Sequence, residues 1–313
     1  MEAASVGCAF AHYRLDAPLG TGGMGVVFLG RDTRLCRPVA IKVLPSDRLD
    51  DRCKRRLREE ALLLSSLNHP NIASVFDFGS EGDIHYLVME YVPGVTLDLL
   101  LRRGPLEWDE VARLGAQLAR GLGAAHAAGV VHRDIKPGNL RVTPEGLLKI
   151  LDFGIATFAA AGPEASTTTG DTTPSLAGTI QYMAPERLRG NAVDPRADIF
   201  SAGAVLYEMA CGCAPFNDTH PVRLIEAILN GDVPLPSQVH PPVHPALERI
   251  IIRALEPQPA RRFARATDLA EALEAMTESL IPHRESLIGG SSNQTNRRND
   301  SRFKITMRRL RNF

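Results

Sequence analysis

The stretch 131–154 constrains this chain more than any other part of its sequence. In order, it carries an acid, an amine, an amide and a second carboxylate: Asp134, Lys136, Asn139 and Asp152. Amide and carboxylate oxygens are hard ligands suited to Mg²⁺, which keeps waters and substrate phosphates as its other ligands. Asp134 can accept a hydroxyl proton, and Lys136 can neutralise charge on a phosphoryl group. The stretch therefore has the groups that phosphoryl transfer from a magnesium-bound nucleotide requires.

A glycine-rich turn near the N-terminus is a second candidate element. It lies between two strand-like stretches, 13–20 and 25–31, and reads Gly20-Thr21-Gly22-Gly23-Met24-Gly25. Glycines there let backbone N–H groups approach phosphates that a Cβ would block. A dinucleotide-binding turn is an alternative, but it needs a helix directly after the glycines. A strand-like run follows instead. A glycine-rich hairpin without function is the other alternative.

A lysine and two glutamates follow the glycine-rich turn. Lys42 ends the strand-like run that begins at Val39, and a lysine among β-formers is usually a solvated edge residue. The next segment, about residues 48–67, has a helical pattern that includes Glu59 and Glu60, and Pro70 stops it. Strand patterns at 72–78 and 84–91 come next, with a polar turn between them.

Composition predicts an ordinary globular protein with a large core. The chain has 313 residues, 44% of them hydrophobic, and a formal net charge of zero, which argues neither for nucleic acid nor for a membrane. Five cysteines without paired CxxC spacing argue against a disulfide framework and a zinc ribbon, and indicate a reduced cytosol. The N-terminal residues do not read as a signal peptide, and no apolar run reaches the ~20 residues of a membrane span.

The C-terminal half contains a long irregular segment and an apolar helix. The segment from Asp152 is rich in Thr, Ser, Ala and Gly, and it closes with Ala184-Pro185-Glu186. Such a length without periodicity indicates a functional or disordered loop. Residues 194–211 have the pattern of a helix buried on most faces, and a carboxylate within it, Asp198, should therefore be paired.

Taken in order, these motifs resemble the protein kinases, in particular the bacterial branch of eukaryotic-like serine/threonine kinases. The resemblance covers roughly residues 13–278 and implies an α+β, two-lobed fold. A small antiparallel, five-stranded sheet with one main helix forms the N-lobe, a larger and mostly helical C-lobe follows, and ATP lies between them. The domain division is an N-terminal extension at 1–12, an N-lobe at 13–91, a hinge at 90–94, a C-lobe at 95–278 and a basic, flexible tail at 279–313.

The resemblance also implies roles for individual residues. Asp134 orients the accepting hydroxyl, Lys136 and Asn139 complete the catalytic loop, and Asn139 and Asp152 hold the metal. Lys42 contacts the α- and β-phosphates and pairs with Glu60, and Met89 is the gatekeeper beside the hinge. The nucleotide-binding set as a whole is Leu19, Gly20, Thr21, Gly22, Gly23, Met24, Gly25, Val26, Val27, Ala40, Lys42, Glu60, Met89, Glu90, Val92 and Arg141.

A serine/threonine protein kinase with ATP and Mg²⁺ as cofactors is the implied activity, and Mn²⁺ is an alternative metal. The implied partners are protein substrates with Ser or Thr acceptors, the kinase itself by autophosphorylation, and a transient kinase dimer; nucleic acid is not among them. The expected localisation is cytoplasmic. Asp198 is expected to bond the catalytic-loop backbone, and Arg262 to pair with Glu186.

Regulation by loop phosphorylation is implied by Arg133, which precedes Asp134. The candidate phosphate acceptors are Thr167–Thr169, Thr172, Thr173 and Ser175. Of these, Thr173 has the spacing from Ala-Pro-Glu of a phosphorylated position in the bacterial family, and Asp171 can mimic a second phosphate. Thr179 in Gly178-Thr179 matches the Ser/Thr class.

The sequence has three rival functional interpretations. A small-molecule phosphotransferase shares the fold but lacks Ala-Pro-Glu and the Thr-rich segment. A pseudokinase is expected to have lost at least one of three residues that are all present here, Lys42, Asp134 and Asp152. A tyrosine-directed kinase is disfavoured by Lys136, two residues after Asp134.

One position departs from the family. Arg141 stands where a leucine-like side chain usually forms the floor under adenine. Either Leu140 packs under the base while Arg141 points to solvent, or Arg141 lays its methylenes along the pocket and its guanidinium against adenine.

The tail is a separate electrostatic object. Between Leu280 and Phe313, eight Lys/Arg outnumber two Asp/Glu, which leaves residues 1–279 at a formal charge of minus six. In the segment 302–313, Phe303, Met307 and Leu310 share one helical face among arginines. The tail is therefore either a solvated basic segment or one that contacts an anionic membrane surface.

Overall fold

The structure, a computed structural model, describes residues 6–22, 25–44, 51–82, 84–153, 179–192 and 194–288. Within helices and strands, side chains are described except at positions 22, 51–54, 56, 57, 60 and 279–288. The described residues fall into two compact units. The first runs through Val92 and includes Asp152 and Phe153, and the second comprises Pro93–Leu151 and the described residues from Thr179 onward.

An antiparallel sheet of six strands forms the body of the first unit. Its spatial order is β1-β2-β3-β4-β6-β5. The strands are β1 (Ala9–Phe10), β2 (Tyr13–Gly22), β3 (Gly25–Asp32), β4 (Arg37–Leu44), β5 (Val75–Glu81) and β6 (Ile84–Glu90), and one helix, α1 (Asp51–Ser65), lies between β4 and β5 in sequence. Apolar side chains on one side of the sheet form a core with the aromatic rings of Tyr13, Phe28 and Tyr86.

The first strand corrects the expected count of five. β1 falls in the stretch 1–12 that the sequence analysis placed before the domain, yet it pairs with β2. The backbone hydrogen bonds Gly7 N–Leu15 O and Leu15 N–Cys8 O, both 2.9 Å, hold it there. The ring of Phe10 is 5% exposed and stacks on Tyr86 with 5.5 Å between centroids. This segment is therefore part of the packed unit.

The second unit is mostly helical, with one small sheet. The sheet has the order β7-β8-β9, from β7 (Val95–Thr96), β8 (Leu140–Val142) and β9 (Leu148–Ile150). The helices are α2 (Leu97–Leu101), α3 (Trp108–Ala127), α4 (Pro185–Leu188), α5 (Arg196–Cys211), α6 (Pro221–Asn230), α7 (Pro236–Val239), α8 (Pro245–Ala254) and α9 (Ala266–Ile288). Among the described helices, none has both the length and the apolar content needed to cross a bilayer.

Helix α5 is the centre of the second unit, as its apolar pattern predicted. Every residue from Ala197 to Tyr207 is buried. A Cβ built on Gly203 would lie 2.8 Å from the Cβ of Ala254, so glycine is what allows α8 to approach α5 so closely. The left-handed residue Gly212, at φ +76°, ends the helix with a hydrogen bond to the carbonyl of Glu208.

A buried ion pair joins α4 to Arg262, which precedes α9 in the sequence. The guanidinium of Arg262 donates to both carboxylate oxygens of Glu186, at 2.7 and 2.8 Å, and to the carbonyl of Arg196 at 2.8 Å. Arg262 is 3% exposed and Glu186 is 7% exposed. The pairing of these two residues, expected from the sequence, is confirmed.

Arg262→Met should destabilise the protein strongly, because it leaves the carboxylate of Glu186 buried without its cation. We expect a loss of about 3–5 kcal/mol in the free energy of unfolding, measured by urea denaturation. The control is Arg120→Met, which removes a partly exposed pair with Glu274 and should cost at most about 1 kcal/mol. Equal losses in the two variants would contradict this account.

Candidate active site

The predicted catalytic loop, residues 131–139, brings three predicted residues into direct contact. Lys136 Nζ lies 2.8 Å from Asp134 Oδ2. The amide nitrogen of Asn139 donates to Asp134 twice, to the backbone carbonyl at 2.7 Å and to Oδ2 at 2.9 Å. The 3-10 turn Pro137–Asn139 places Asn139 for this reach. The carboxylate of Asp134 is thus oriented by an amine and an amide, while its side chain is still 23% exposed.

The loop backbone is held by Asp198 of α5. The carboxylate accepts the backbone N–H of His132 and that of Arg133, each at 2.8 Å. Its third partner is His126 Nε2, also at 2.8 Å. The expectation that this buried carboxylate is paired with the catalytic loop is confirmed.

The environment of Asp198 keeps it ionised. Complete burial by itself raises the pKa of a carboxyl group, because the charged form loses its hydration. The hydrogen bond from His126 and the one from the backbone N–H of His132 act in the other direction. They outweigh burial, and the pKa of Asp198 is held below its ordinary value.

The hydrogen bonds of His132 define its tautomer. Nε2 lies 2.9 Å from the carbonyl of Leu151, which can only accept, so Nε2 carries a proton. Nδ1 then accepts the backbone N–H of Asp134 at 3.2 Å. A neutral ring satisfies both bonds. His132 thereby connects the loop to Leu151, the residue that follows β9.

Thr179, which matches the Ser/Thr class in sequence, lies near the catalytic loop. Its hydroxyl is 3.5 Å from Lys136 Nζ. Three residues on, the Tyr182 hydroxyl donates to Glu208 at 2.5 Å. Burial and the negative charge of Glu208 raise the pKa of Tyr182 far above its ordinary value, so the phenol stays protonated and acts as the donor.

In the first unit, the lysine and the carboxylate of the predicted site are in contact. Lys42 Nζ lies 3.2 Å from Asp152 Oδ1, and the lysine side chain is 8% exposed. Asp152 has a positive φ of 52°, which is rare for a residue with a Cβ. The side chain of Glu60, expected to pair with Lys42, lies outside the described residues, although its backbone belongs to α1.

The described part of the glycine-rich turn has the geometry that close backbone approach requires. Gly25 has φ +134°, and a Cβ there would lie 2.0 Å from the carbonyl of Val43. At Gly20 a Cβ would meet no atom within 4 Å, so open space lies beside that backbone. Val26 and Val27 pair with Val43 and Lys42 on β4. The tip residues Gly23 and Met24 lie outside the described chain.

The predicted hinge follows β6. Met89 is 8% exposed. It pairs with Ala40 of the neighbouring strand β4, and Ala40 is 9% exposed. The backbone N–H of Glu90 donates to Ser74, at 2.8 Å. Val92 is 3% exposed, and its backbone N–H has no acceptor among the described residues. A backbone N–H without a protein acceptor is available to a ligand, which is compatible with the nucleotide-binding role that the resemblance implies for Val92.

Arg141 does not point freely into solvent. Its guanidinium donates to the carbonyl of Gly94 at 2.8 Å, and the side chain is part-buried. Gly94 has φ +113°, and its missing Cβ would lie 2.1 Å from the carbonyl of Val142, so this backbone lies directly against β8. Leu140 is fully buried in the second unit. The side chain is thus anchored at its guanidinium, and both alternatives for Arg141 remain predictions.

Several predicted residues lie outside the described chain. They are the phosphate acceptors Thr167–Thr169, Thr172, Thr173 and Ser175, the neighbouring Asp171, and the basic segment 302–313. Leu19 and Thr21 are described and belong to β2. Arg133, expected to bind phosphate, has φ +68°, and its Nε is buried without a hydrogen-bond partner in the described chain.

The sequence analysis missed His126. His126 lies in the last turn of α3. Its ring is hydrogen-bonded to Asp198, the carboxylate that also accepts the N–H groups of the catalytic loop. A histidine in the last turn of a helix six residues before His132 was the available signal. That signal is weak, because a single histidine carries no information about a partner 72 positions away.

Each unit by itself offers groups that fit a magnesium–nucleotide complex. Asn139 uses its amide nitrogen toward Asp134, which leaves its carbonyl oxygen for a cation. The carboxylate of Asp152 is 31% exposed and has a second oxygen beside the one that contacts Lys42. Hard oxygens of this kind suit Mg²⁺. Lys42, a buried cation, suits a phosphate oxygen.

Comparison with known proteins agrees with this geometry. Residues 13–276 match the family model described as "Protein kinase domain". The chain is 38% identical over 276 residues to the serine/threonine-protein kinase PknB of Mycolicibacterium smegmatis, covering 86% of this chain and 44% of that protein. It is 39% identical over 259 residues to PrkC of Bacillus subtilis, covering 82% of this chain and 39% of that protein.

Solved structures give the same result. The kinase domain of Mycobacterium tuberculosis PknI aligns with a TM-score of 0.67 at 27% sequence identity, over 87% of this chain and 99% of that domain. The chain spans less than half the length of the PknB and PrkC proteins. Because the family model covers most of the chain, this protein belongs to the protein kinase family.

Proposed function

We propose that this protein is a serine/threonine kinase that transfers the γ-phosphate of ATP to hydroxyl groups of proteins, itself included. The observation that carries the proposal is the contact set around Asp134. Lys136 and Asn139 both reach its carboxylate, and Lys136 also lies 3.5 Å from the Thr179 hydroxyl. The names of its relatives, serine/threonine-protein kinases of several bacteria, support the class of acceptor.

In this function Asp134 accepts a hydrogen bond from the substrate hydroxyl and orients its oxygen toward the phosphorus. Lys136, whose amine already lies 2.8 Å from Asp134, places positive charge where negative charge develops. Asn139 keeps Asp134 in place through its two hydrogen bonds. The fixed loop backbone means that little reorganisation is needed in the transition state.

ATP and a divalent metal are the implied cofactors. Mg²⁺, with Mn²⁺ as the alternative, would supply charge neutralisation on the phosphates when bound. Asn139 and Asp152 would hold it through the oxygens described above, and Lys42 would bind a phosphate oxygen. The backbone N–H of Val92 would donate to the base. Each of these residues acts by binding and orientation rather than by covalent chemistry.

The first test is phosphotransfer from radiolabelled ATP with Mg²⁺ by the purified protein. Asp134→Asn should lower kcat by about 10²–10⁴-fold, because the amide is a poor proton acceptor but keeps the shape of the side chain. Lys42→Met and Asp152→Ala should abolish labelling. The control is Asp232→Asn, an exposed carboxylate of the second unit. Undiminished labelling by Asp152→Ala would overturn the proposed mechanism.

We also propose regulation by phosphorylation of the segment after Asp152, with Thr173 as the main acceptor. The support is Arg133, whose guanidinium has a buried Nε without a partner in the described residues. A phosphate can form a charge-assisted pair with such a group. Autophosphorylation would supply that phosphate.

Thr173→Ala should therefore lower the activity of autophosphorylated enzyme toward the level of phosphatase-treated wild type. Ser166→Ala is the matched control, since it removes a hydroxyl from the same segment that is not among the candidate acceptors and should leave activity unchanged. Mass spectrometry of the active enzyme checks the site. Active protein unmodified at Thr172, Thr173 and Ser175 would show that the regulation is different.

Arg141 provides a test of the nucleotide site itself. If its methylenes and guanidinium contact adenine, Arg141→Leu should change the Kd for ATP by no more than about tenfold, because an aliphatic surface replaces the cation. Arg141→Ala loses both contributions and should weaken binding further. Calorimetry measures both Kd values, with the exposed Arg103→Ala as control. An unchanged Kd in Arg141→Ala would exclude this contact.

We also propose that the kinase forms a transient dimer and that the basic tail contacts an anionic membrane surface. If Phe303, Met307 and Leu310 bind an anionic membrane surface, the full chain should co-sediment with anionic vesicles more than a chain ending at Glu278. Equal sedimentation would identify the tail as a solvated segment.

A further inference from the structure

The peptide group between Arg133 and Asp134 is held at both of its polar ends. Its N–H, which belongs to Asp134, donates to His132 Nδ1 at 3.2 Å. Its carbonyl, which belongs to Arg133, accepts a hydrogen bond from Arg187 Nη1. The plane of this peptide sets the direction in which the Asp134 side chain leaves the backbone. Whatever fixes this peptide therefore helps to orient the carboxylate.

The backbone at Arg133 needs such support. Its φ of +68° lies in the left-handed region, which is unfavourable for any residue with a Cβ. The two N–H groups that Asp198 accepts hold the side of the loop that precedes this peptide. Among the described contacts, Arg187 is the side chain that holds the carbonyl on the following side.

The helix that carries Arg187 is held in place by a buried ion pair. Arg187 lies on the short helix α4, next to Glu186, which the buried guanidinium of Arg262 binds through both oxygens. The Arg187 side chain is itself part-buried. Burial lowers the pKa of its guanidinium, and the carboxylates of Asp134 and Asp198 act against that effect. Arg187 thus supplies a desolvated positive charge near the catalytic aspartate as well as a hydrogen bond.

A second arginine in the same region behaves differently. Arg189, two residues later, is exposed and donates to the carbonyl of Leu229 at 3.2 Å. Both arginines follow the same buried glutamate, but one reaches the catalytic loop and the other lies on the surface. The pair therefore separates the effect of contact with the loop from the effect of removing an arginine near α4.

We propose that Arg187 is a positioning residue for the reaction: it fixes the Arg133–Asp134 peptide and so orients the carboxylate of Asp134. This inference rests on the proposed function for its kinetic consequence. Its structural consequence, a less protected catalytic loop when the side chain is lost, does not depend on phosphotransfer. The two consequences can therefore be tested separately.

The kinetic experiment compares Arg187→Met, Arg187→Lys and Arg189→Met in steady-state phosphotransfer. Loss of a hydrogen bond from a charged donor should lower kcat of Arg187→Met by about 10- to 100-fold. The KM for ATP should stay within about twofold of wild type, because the side chain acts on orientation rather than on nucleotide binding. Arg187→Lys keeps a cationic donor and should recover most of kcat, and Arg189→Met should match wild type.

The structural experiment is hydrogen exchange of the amides 132–134, followed by mass spectrometry in the same variants without nucleotide. Exchange in Arg187→Met should be faster by about tenfold, while Arg189→Met should show wild-type protection. If Arg187→Met does not fold, Arg187→Gln replaces it, since glutamine is shorter and uncharged but still polar.

The outcomes are decisive in both experiments. Wild-type exchange at 132–134 in Arg187→Met, or in Arg187→Gln where the methionine variant is unfolded, overturns the inference even if the wild-type protein transfers no phosphate. A kcat unchanged from Arg189→Met also overturns it, as does a loss that Arg187→Lys fails to restore. Absence of phosphotransfer in wild type, together with faster exchange in the variant, removes the proposed function and leaves the positioning contact standing.

Discussion

The second unit depends on the hydrogen bonds that one buried carboxylate, that of Asp198, accepts. A charge inside the most buried helix would be expensive if it were unpaired. Here His126 and two catalytic-loop N–H groups satisfy it. The same bonds fix a loop whose backbone includes the left-handed residue Arg133. The contacts that satisfy one buried charge therefore also hold the backbone of the predicted catalytic loop.

The pair formed by Arg262 and Glu186 plays a related part at α4. Glu186 is buried and fixed by two hydrogen bonds, so the short helix that carries it cannot shift independently of the rest of the unit. A helix of four residues has almost no stability of its own. This ion pair fixes the position of the helix, and with it the positions of the residues beside Glu186. Local order at the site is thus imposed by tertiary contacts.

The sequence predicted the elements whose signal is local or repeated. Motif order predicted the fold, and the apolar pattern around Asp198 predicted a paired carboxylate, because burial follows from periodicity. β1 was missed because two residues carry no period, and its pairing with β2 depends on the whole sheet. The bond of Arg141 to Gly94 could not be predicted either, since the reach of a long side chain depends on a backbone that other elements position.

The stacking of Phe10 on Tyr86 has a consequence for how the domain is delimited. The family match begins at residue 13, after β1. A fragment cut at that boundary would expose the face of the Tyr86 ring that Phe10 covers and would leave the outer edge of β2 without its hydrogen-bond partner. Open strand edges beside exposed aromatic surface promote association between chains. In this protein the boundary of the conserved family and the boundary of the stable folding unit are therefore different places.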